Sequence, residues 1–378
     1  MNKPYSSMLR SESPRVLGRL LELSGRCSGI KSHRPPQRIQ RLAILKLWAA
    51  GECLMATPVV EAFKKRWDDL RITVITGGRC KSLWGMCPGI DEIISFPEEI
   101  FLQRSMVSLL SMIKTFRTQD FDAALILHHS YFFSIFSALA FPCPRSGPDR
   151  AGEGFLYHFG QIPLGKHRID EHVAAAYALG AEKGNWQMKI TPPPQLIEEM
   201  RTRLGDGRWL ALAPGGGRNV KTVMPSKLYP GEKYLEVLRE LSKYKSFQVL
   251  LIGDKFDASI TTPLAAELGG MGIKARDCAG IWGWSQTAAA LSLCCGFLGN
   301  DSAPLHLAAA LNIPTLGLFG PTSPAETGPR GLRSAALEPE RAHIPCYRHG
   351  IFNADCQDHC IDHIEPTKIA AKILDLLD

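Results

Sequence analysis

The chain has 378 residues, 45% hydrophobic and 21% charged, with a formal net charge of +7. That length predicts two globular domains with sizeable cores, and eleven scattered cysteines, an odd number, exclude a disulfide framework in favour of a reducing compartment. Moderate basicity leaves three partner classes open: nucleic acid, an anionic membrane surface or a phosphorylated substrate.

Residues 1–38 are rich in Ser, Arg and Pro, with one apolar patch from Val16 to Leu23. They read as a basic, loosely ordered extension, with an interfacial helix around Leu17–Leu23 as the sharper alternative. No positive, apolar, small-residue leader pattern is present, so no secretory signal is expected. Order begins at the apolar strand Arg41–Leu47. A turn from Trp48 to Pro58 leads into a helix, Val59 to Arg66. Strands follow at Ile72–Thr76, Ile90–Phe96 and Phe121–Leu127, with helices at Met106–Arg117, Tyr131–Ala140 and His172–Leu179. The longest apolar run, Ala123 to Phe141, is broken by His128, His129 and several serines. It reads as a strand entering a helix and not as a membrane span.

Thr191-Pro192-Pro193-Pro194 marks a boundary. Beyond it the alternation repeats. Strands are expected at Trp209–Ala213, Gln248–Ile252, Gly296–Leu298 and Thr315–Phe319, with helices near Gly231–Tyr244, Ala258–Leu268, Gln286–Leu293 and Pro304–Leu311. A last helix runs from Pro366 to Leu377. Strands alternating with helices mean open parallel sheets. The expected fold is therefore α/β, two Rossmann-like, doubly wound domains facing a cleft. The expected divisions are the extension at 1–38, a first Rossmann-like domain at 39–190, a second at 191–364 and a closing helix at 365–378.

Three stretches carry the functional signal, each at the carboxyl end of an expected strand, where open parallel sheets bind ligands. The first is Gly299-Asn300-Asp301-Ser302-Ala303-Pro304-Leu305-His306, with Ser302 as N-cap and Pro304 in the first helical turn. It sets free N–H groups and a positive helix end beside a carboxylate, which suits a ligand anionic at one end and hydroxyl-rich at the other. The second is Gly215-Gly216-Gly217, whose N–H groups can form an anion nest, with Lys221 and Lys227 downstream. It is neither a Walker loop nor a dinucleotide fingerprint, and a flexible turn is the plain alternative. The third is Gly253-Asp254-Lys255-Phe256-Asp257, where a carboxylate can accept ribose hydroxyls or simply cap a solvated turn. In the first half, Glu52 is the carboxylate just after the opening strand. It suits a general base toward an acceptor hydroxyl, or an acid offsetting a helix dipole.

Asp120-Phe121-Asp122 has the acid-x-acid spacing of a metal-diphosphate site, but it lies at the amino end of its strand, the wrong edge for a ligand. It is expected to be structural. In the tail, Cys346, Cys356 and Cys360 interleave with His343, His349, His359 and His363. The spacing matches no common zinc finger, so packed thiols are the expectation and no metal site is assigned.

Taken together these stretches resemble glycosyltransferase family 9, the heptosyltransferases of lipopolysaccharide core assembly. The resemblance runs from Ile39 nearly to the end. It rests on Leu45-Lys46-Leu47 with Gly51-Glu52-Cys53-Leu54-Met55-Ala56-Thr57-Pro58, on Pro214-Gly215-Gly216-Gly217 with Met224-Pro225-Ser226-Lys227-Leu228-Tyr229-Pro230, and on Gly299–Leu311 followed by Phe319-Gly320-Pro321-Thr322 and Gly328-Pro329. It implies the GT-B fold, with the acceptor bound by the domain at 39–190 and the nucleotide sugar by the domain at 191–364, and a cytoplasmic enzyme; the basic N-terminal region would suit peripheral contact with an anionic inner-membrane surface. It implies inverting, metal-independent and cofactor-free transfer, usually from ADP-heptose, to a lipid-linked or saccharide acceptor, and no nucleic-acid partner. By position, Glu52 would be the base, Lys227 would pair with donor phosphates, Asp257 would hold ribose and Asp301 would bind sugar hydroxyls. Ser302, Ala303 and the turn to His306 would meet the diphosphate. Two residues depart from the family pattern: Glu52 stands where Asp is usual, and Ala303 where Gly is usual. A catalytically weak nucleotide-sugar-binding protein and a sugar-nucleotide epimerase are the alternatives.

Overall fold

The computed structural model describes residues 34–102, 105–149, 152–161, 167–216, 224–340, 346–348, 351–352 and 359–378. All of the expected extension except residues 34–38, including its apolar patch, lies outside these. In chain order, β1 (Arg41–Leu45) precedes α1 (Ala50–Ala56), α2 (Pro58–Arg66), β2 (Arg71–Gly77) and α3 (Lys81–Trp84). Next come β3 (Glu92–Phe96), α4 (Glu99–Leu102), α5 (Met106–Arg117), β4 (Ala123–Ile126), α6 (Tyr131–Ala140), β5 (Arg145–Pro148), β6 (Phe159–Gln161) and α7 (Arg168–Ala178). The second half holds α8 (Pro194–Leu204), β7 (Trp209–Ala213), α9 (Gly231–Ser242), β8 (Gln248–Leu251), α10 (Ala258–Gly270), β9 (Ala275–Asp277), α11 (Trp284–Leu291) and β10 (Gly296–Asn300). It closes with α12 (Ala303–Ala310), β11 (Thr315–Leu318), α13 (Pro324–Thr327), β12 (Ser334–Leu337), a short ribbon of β13 (Tyr347–Arg348) and β14 (Ile351–Phe352), and α14 (Pro366–Leu377).

The chain divides into two compact units. The first unit comprises residues up to Leu47, Val59–Gly78 and Gly89–Trp186; the second comprises Trp48–Pro58, Arg79–Pro88 and Gln187–Asp378. Each carries one six-stranded, wholly parallel sheet. Their orders are β3-β2-β1-β4-β5-β6 and β9-β8-β7-β10-β11-β12. In both, the first strand of the unit sits beside the fourth, so the order reverses there. That reversal is where an open α/β sheet leaves a crevice at its carboxyl edge.

The strands are apolar because both faces are covered. β1 is buried from its second residue on, and β7 along its whole length. Asp122 explains the acid-x-acid pattern. Its Oδ2 accepts from the N–H groups of Gln40 and Arg41, both at 2.8 Å, at the amino edge of the first sheet. The expected structural role therefore has a specific form: Asp122 satisfies the donors that open β1.

Several details differ from the sequence reading. The turn after β1 is itself helical: α1 begins at Ala50, launched from Ala49 in the left-handed region (φ 66°). A non-glycine residue there costs about 1–2 kcal/mol, so the surrounding packing must hold it. Pro58, which needs no N–H, then opens α2. The expected linker at 191–194 ends in α8, with Pro194 in its first turn. Finally, α7 starts four residues before the expected position, because the His167 Nδ1 caps it by accepting from the Ile169 N–H at 3.2 Å.

Candidate active site

The second sheet reverses between β7 and β10, and Gly215, Gly216, Lys227, Asp301, Ser302, Ala303 and His306 lie on the segments that leave those two strands. Asn300, the last residue of β10, is fully buried and ties the loops together. Its Nδ2 donates to the carbonyls of Pro214 (2.6 Å) and Gly215 (3.1 Å), and its Oδ1 accepts from the Tyr229 N–H (3.2 Å) and the Tyr234 hydroxyl (2.9 Å). The sequence reading gave Asn300 no role, although a polar amide ending an apolar strand was the available signal.

Asp301 follows directly. Its side chain is 8% exposed, and Oδ2 accepts from Lys227 Nζ at 2.6 Å and from Thr322 Oγ1 at 2.7 Å. Burial opposes ionisation, but the Lys227 charge and these hydrogen bonds hold the Asp301 carboxyl below the usual carboxylate value. Lys227, expected to meet donor phosphates, is thus paired with Asp301. Thr322 appeared in the sequence only as part of a motif, and its contact was not anticipated.

His306 lies one helical turn on, in α12. Its Nε2 is 3.9 Å from Asp301 Oδ1, and its Nδ1 is buried without a hydrogen-bond partner. Burial and the Lys227 charge lower its pKa, against the pull of Asp301 and Glu52, so the ring is neutral at neutral pH. Ser302 occupies the N-cap position of α12, but its side chain makes no capping bond, contrary to the expectation. Its Oγ is also buried and unpartnered. Ala303 is the first residue of α12.

The glycine loop approaches the protein's own side chains. A Cβ on Gly215 would overlap the Asp257 carboxyl, and one on Gly216 would overlap Ser302 Cβ. Gly216 also has φ 103°, which favours glycine. Gly217 and Lys221 lie outside the described residues. Asp257 precedes α10 without capping it; its Oδ2 accepts from the Asp254 N–H at 2.8 Å.

Glu52 stands in the first turn of α1, and the structure groups Trp48–Pro58 with the second unit. There α1 packs on α12: a Cβ on Gly51 would stand 2.8 Å from His306 Cδ2 and 3.7 Å from Ala303 Cα. Glu52, His306, Asp301 and Lys227 therefore form one electrostatic neighbourhood. In the tail, Cys346 and Cys360 are buried, while Cys356, His343 and His349 lie outside the described residues. Among the described residues, no group of three or more His, Cys, Asp or Glu side chains could hold a metal ion, and no helix is long and apolar enough to cross a membrane.

Comparison with known proteins fits this geometry. Lipopolysaccharide heptosyltransferase 2 of Salmonella typhimurium is 24% identical over 317 residues, covering 76% of this chain and 84% of the relative. The solved structure of the Escherichia coli ADP-heptose lipopolysaccharide heptosyltransferase II superposes with a TM-score of 0.71 at 20% identity, covering 89% of this chain and 98% of the other. A glycosyltransferase family 9 structure from Veillonella parvula gives 0.73 at 17% identity, covering 89% and 97%. These structures share the two-domain GT-B fold. The model of glycosyltransferase family 9 (heptosyltransferase) matches residues 109–353, more than half of the chain, and the protein belongs to that family of glycosyltransferases.

Proposed function

We propose that this chain transfers heptose from ADP-heptose to a sugar hydroxyl of a lipopolysaccharide-core or related cell-surface acceptor, with inversion and without a metal ion. One observation carries the reading. The start of α12 holds two buried polar atoms without partners, Ser302 Oγ and His306 Nδ1, beside the ionised Asp301–Lys227 pair. An orphaned buried polar group costs about 1–3 kcal/mol, which a polar ligand removes. A sugar diphosphate offers both the hydroxyls and the anion that such a corner accepts. The names of the relatives support heptose and ADP as the sugar and nucleotide.

In this reading Glu52 takes the proton of the acceptor hydroxyl. That oxygen forms its bond to the anomeric carbon as the bond from that carbon to the diphosphate oxygen breaks, so ADP leaves with the electron pair. Lys227 turns from Asp301 toward the growing phosphate charge, and the N-terminus of α12 adds its dipole. Asp301, fixed by Thr322, accepts from sugar hydroxyls, and Asp257 from ribose. The longer Glu52 side chain moves the carboxylate by roughly one bond length relative to Asp, and misplacement of about 1 Å can cost around 10²-fold in rate. Glu52→Asp is therefore an informative partner to Glu52→Gln. Glu52→Gln should lower turnover by about 10²-fold or more with ADP affinity unchanged. Equal turnover in the wild type and Glu52→Gln would remove Glu52 from the mechanism.

A further inference from the structure

The connection from β7 to α9 runs from Pro214 to Pro230, longer than the usual βα loop of about two to six residues. It carries two candidate donor contacts, Gly216 near its start and Lys227 near its end. Asn300 grips the chain beside both. Its Nδ2 donates to the Pro214 and Gly215 carbonyls at 2.6 and 3.1 Å, and its Oδ1 accepts from the Tyr229 N–H at 3.2 Å and the Tyr234 hydroxyl at 2.9 Å. A side-chain amide has two N–H donors and an oxygen with two lone pairs, so all four bonding positions are used. The Tyr229 N–H can only donate, which fixes which end of the amide faces it. Tyr234, in α9, is fully buried; burial holds its phenol protonated, so the hydroxyl is a donor here.

Packing alone does not call for this amide. Leu298, two residues earlier on the same face of β10, joins Tyr229 and Tyr234 in an apolar cluster, and a further leucine at 300 would continue it. That leucine would leave two carbonyls, an N–H and a hydroxyl unpaired. A buried polar network with every position satisfied fixes a single arrangement of what it joins. Here it joins the backbone on either side of Gly216 and Lys227. Neighbouring contacts hold the same segment. The Tyr229 hydroxyl donates to the Ile364 carbonyl at 2.8 Å, its ring meets that of Tyr234 edge-on with centroids 5.1 Å apart, and a Cβ on Gly320 would stand 3.1 Å from the Ser226 carbonyl oxygen. The Lys227 side chain reaches out of this framework to Asp301 and keeps 19% of its surface open.

We propose that Asn300 and Tyr234 are positioning residues for the donor: their clasp on Pro214, Gly215 and Tyr229 fixes the backbone beside Gly216 and Lys227, so that Lys227 leaves Asp301 for the donor phosphates by side-chain rotation alone. The inference rests on the donor-site reading. Hydrogen exchange of the full-length chain and calorimetric titration with ADP test the two separately. Tyr234→Phe removes one of the four bonds and nothing else. It should speed amide exchange over Ser226–Tyr229 and lower ADP affinity, each by about threefold to tenfold, the scale of one neutral hydrogen bond, with exchange in β7 and β10 unchanged. In transfer assays the donor KM should rise and the acceptor KM stay; a general loss of fold would instead reduce the active fraction and leave both KM values alone. Asn300→Asp turns a carboxylate toward two carbonyls. Burial and those carbonyls favour its protonated form, which donates to one of them again. Its ADP affinity, about tenfold or more below that of the wild type at about pH 8, should therefore recover toward the wild type at about pH 6, which a merely structural defect would not do. Should Asn300→Asp not fold, Tyr234→Phe decides alone. With ADP bound by the wild type, unchanged affinity or unchanged exchange in Tyr234→Phe, or no recovery in a folded Asn300→Asp, overturns the proposal. A wild type that binds no ADP, while Tyr234→Phe still speeds exchange over Ser226–Tyr229, overturns the donor-site reading instead.

Discussion

The two sheets share one strand order, and their carboxyl edges invite residue-by-residue comparison. In each unit a polar side chain at or just beyond the end of the fourth strand ties down the loop leaving the first strand. In the second unit it is Asn300, donating to Pro214 and Gly215; in the first it is His128, accepting from Leu47. The next residue in each is ionisable and paired with an opposite charge, Asp301 with Lys227 in one and His129 with Glu153 and Glu171 in the other. The surroundings then diverge. Asp301 sits beside a glycine loop and a helix N-terminus, the apparatus of anion binding. His129 sits between the carboxylates of Glu153 and Glu171, the second of which also takes Arg168. The same topology thus gives two edges of different electrostatic character.

The sharpest way to break that comparison is to remove the carboxylate on which the second edge depends. Asp301→Asn leaves the Lys227 ammonium beside a neutral amide. Because Lys227 is only 19% exposed, the loss in stability should be about 3 kcal/mol, the low end for a broken buried pair. Donor binding should go with it. Urea unfolding followed by tryptophan fluorescence and ADP titration would measure the two losses. In the first unit Glu153→Gln should cost less, because His129 retains Glu171. Equal losses at the two edges would remove the asymmetry. A smaller effect is expected from Gly216→Ala. The new Cβ overlaps Ser302, at a backbone φ of 103° that is strained for alanine by about 1–3 kcal/mol. The loop should shift and ADP affinity fall by about tenfold or more, while the sheet stays folded. Calorimetry with ADP reads this directly, and unchanged affinity would mean that the loop does not touch the nucleotide.

Why one edge was legible in the sequence and the other was not follows from how each is assembled. Asp301, Ser302, Ala303 and His306 are contiguous, so a strand end, a proline and a helix period were enough to place them. The alternation of strands and helices likewise placed Met106–Arg117, Tyr131–Ala140, Trp209–Ala213 and Pro366–Leu377 at their observed bounds. The cluster of His129, Glu153, Glu171 and Arg168, by contrast, is brought together from three separate segments. β5 and β6 are short and read Arg-Ser-Gly-Pro and Phe-Gly-Gln, with no apolar run to announce a strand. Without those strands Glu153 and Glu171 had no edge to belong to, and His129 appeared only as an interruption in an apolar stretch. Pairings such as Lys227 with Asp301 escaped for the same reason, since both partners were visible but not their distance.

The least disruptive probe of the contrast is titration, because the two histidines shift in opposite directions. For His129, burial disfavours the charge, but the hydrogen bonds to Glu153 and Glu171 outweigh it and raise the pKa above the ordinary imidazole value. For His306, burial prevails and the pKa falls below that value. The signs for stability follow. The contribution of His129 is complete below the unfolded pKa of about 6.5 and is lost as pH rises through its higher folded value. His306 is neutral in the folded state, so its neighbourhood loses stability as pH falls from about 6.5 through its lower folded value. Proton–carbon NMR of the imidazole Cε1 positions, assigned with His129→Gln and His306→Gln, should show one resonance titrating above about 6.5 and the other below it. If both move together near about 6.5, the two edges are electrostatically alike, and the contrast drawn between them loses its physical basis.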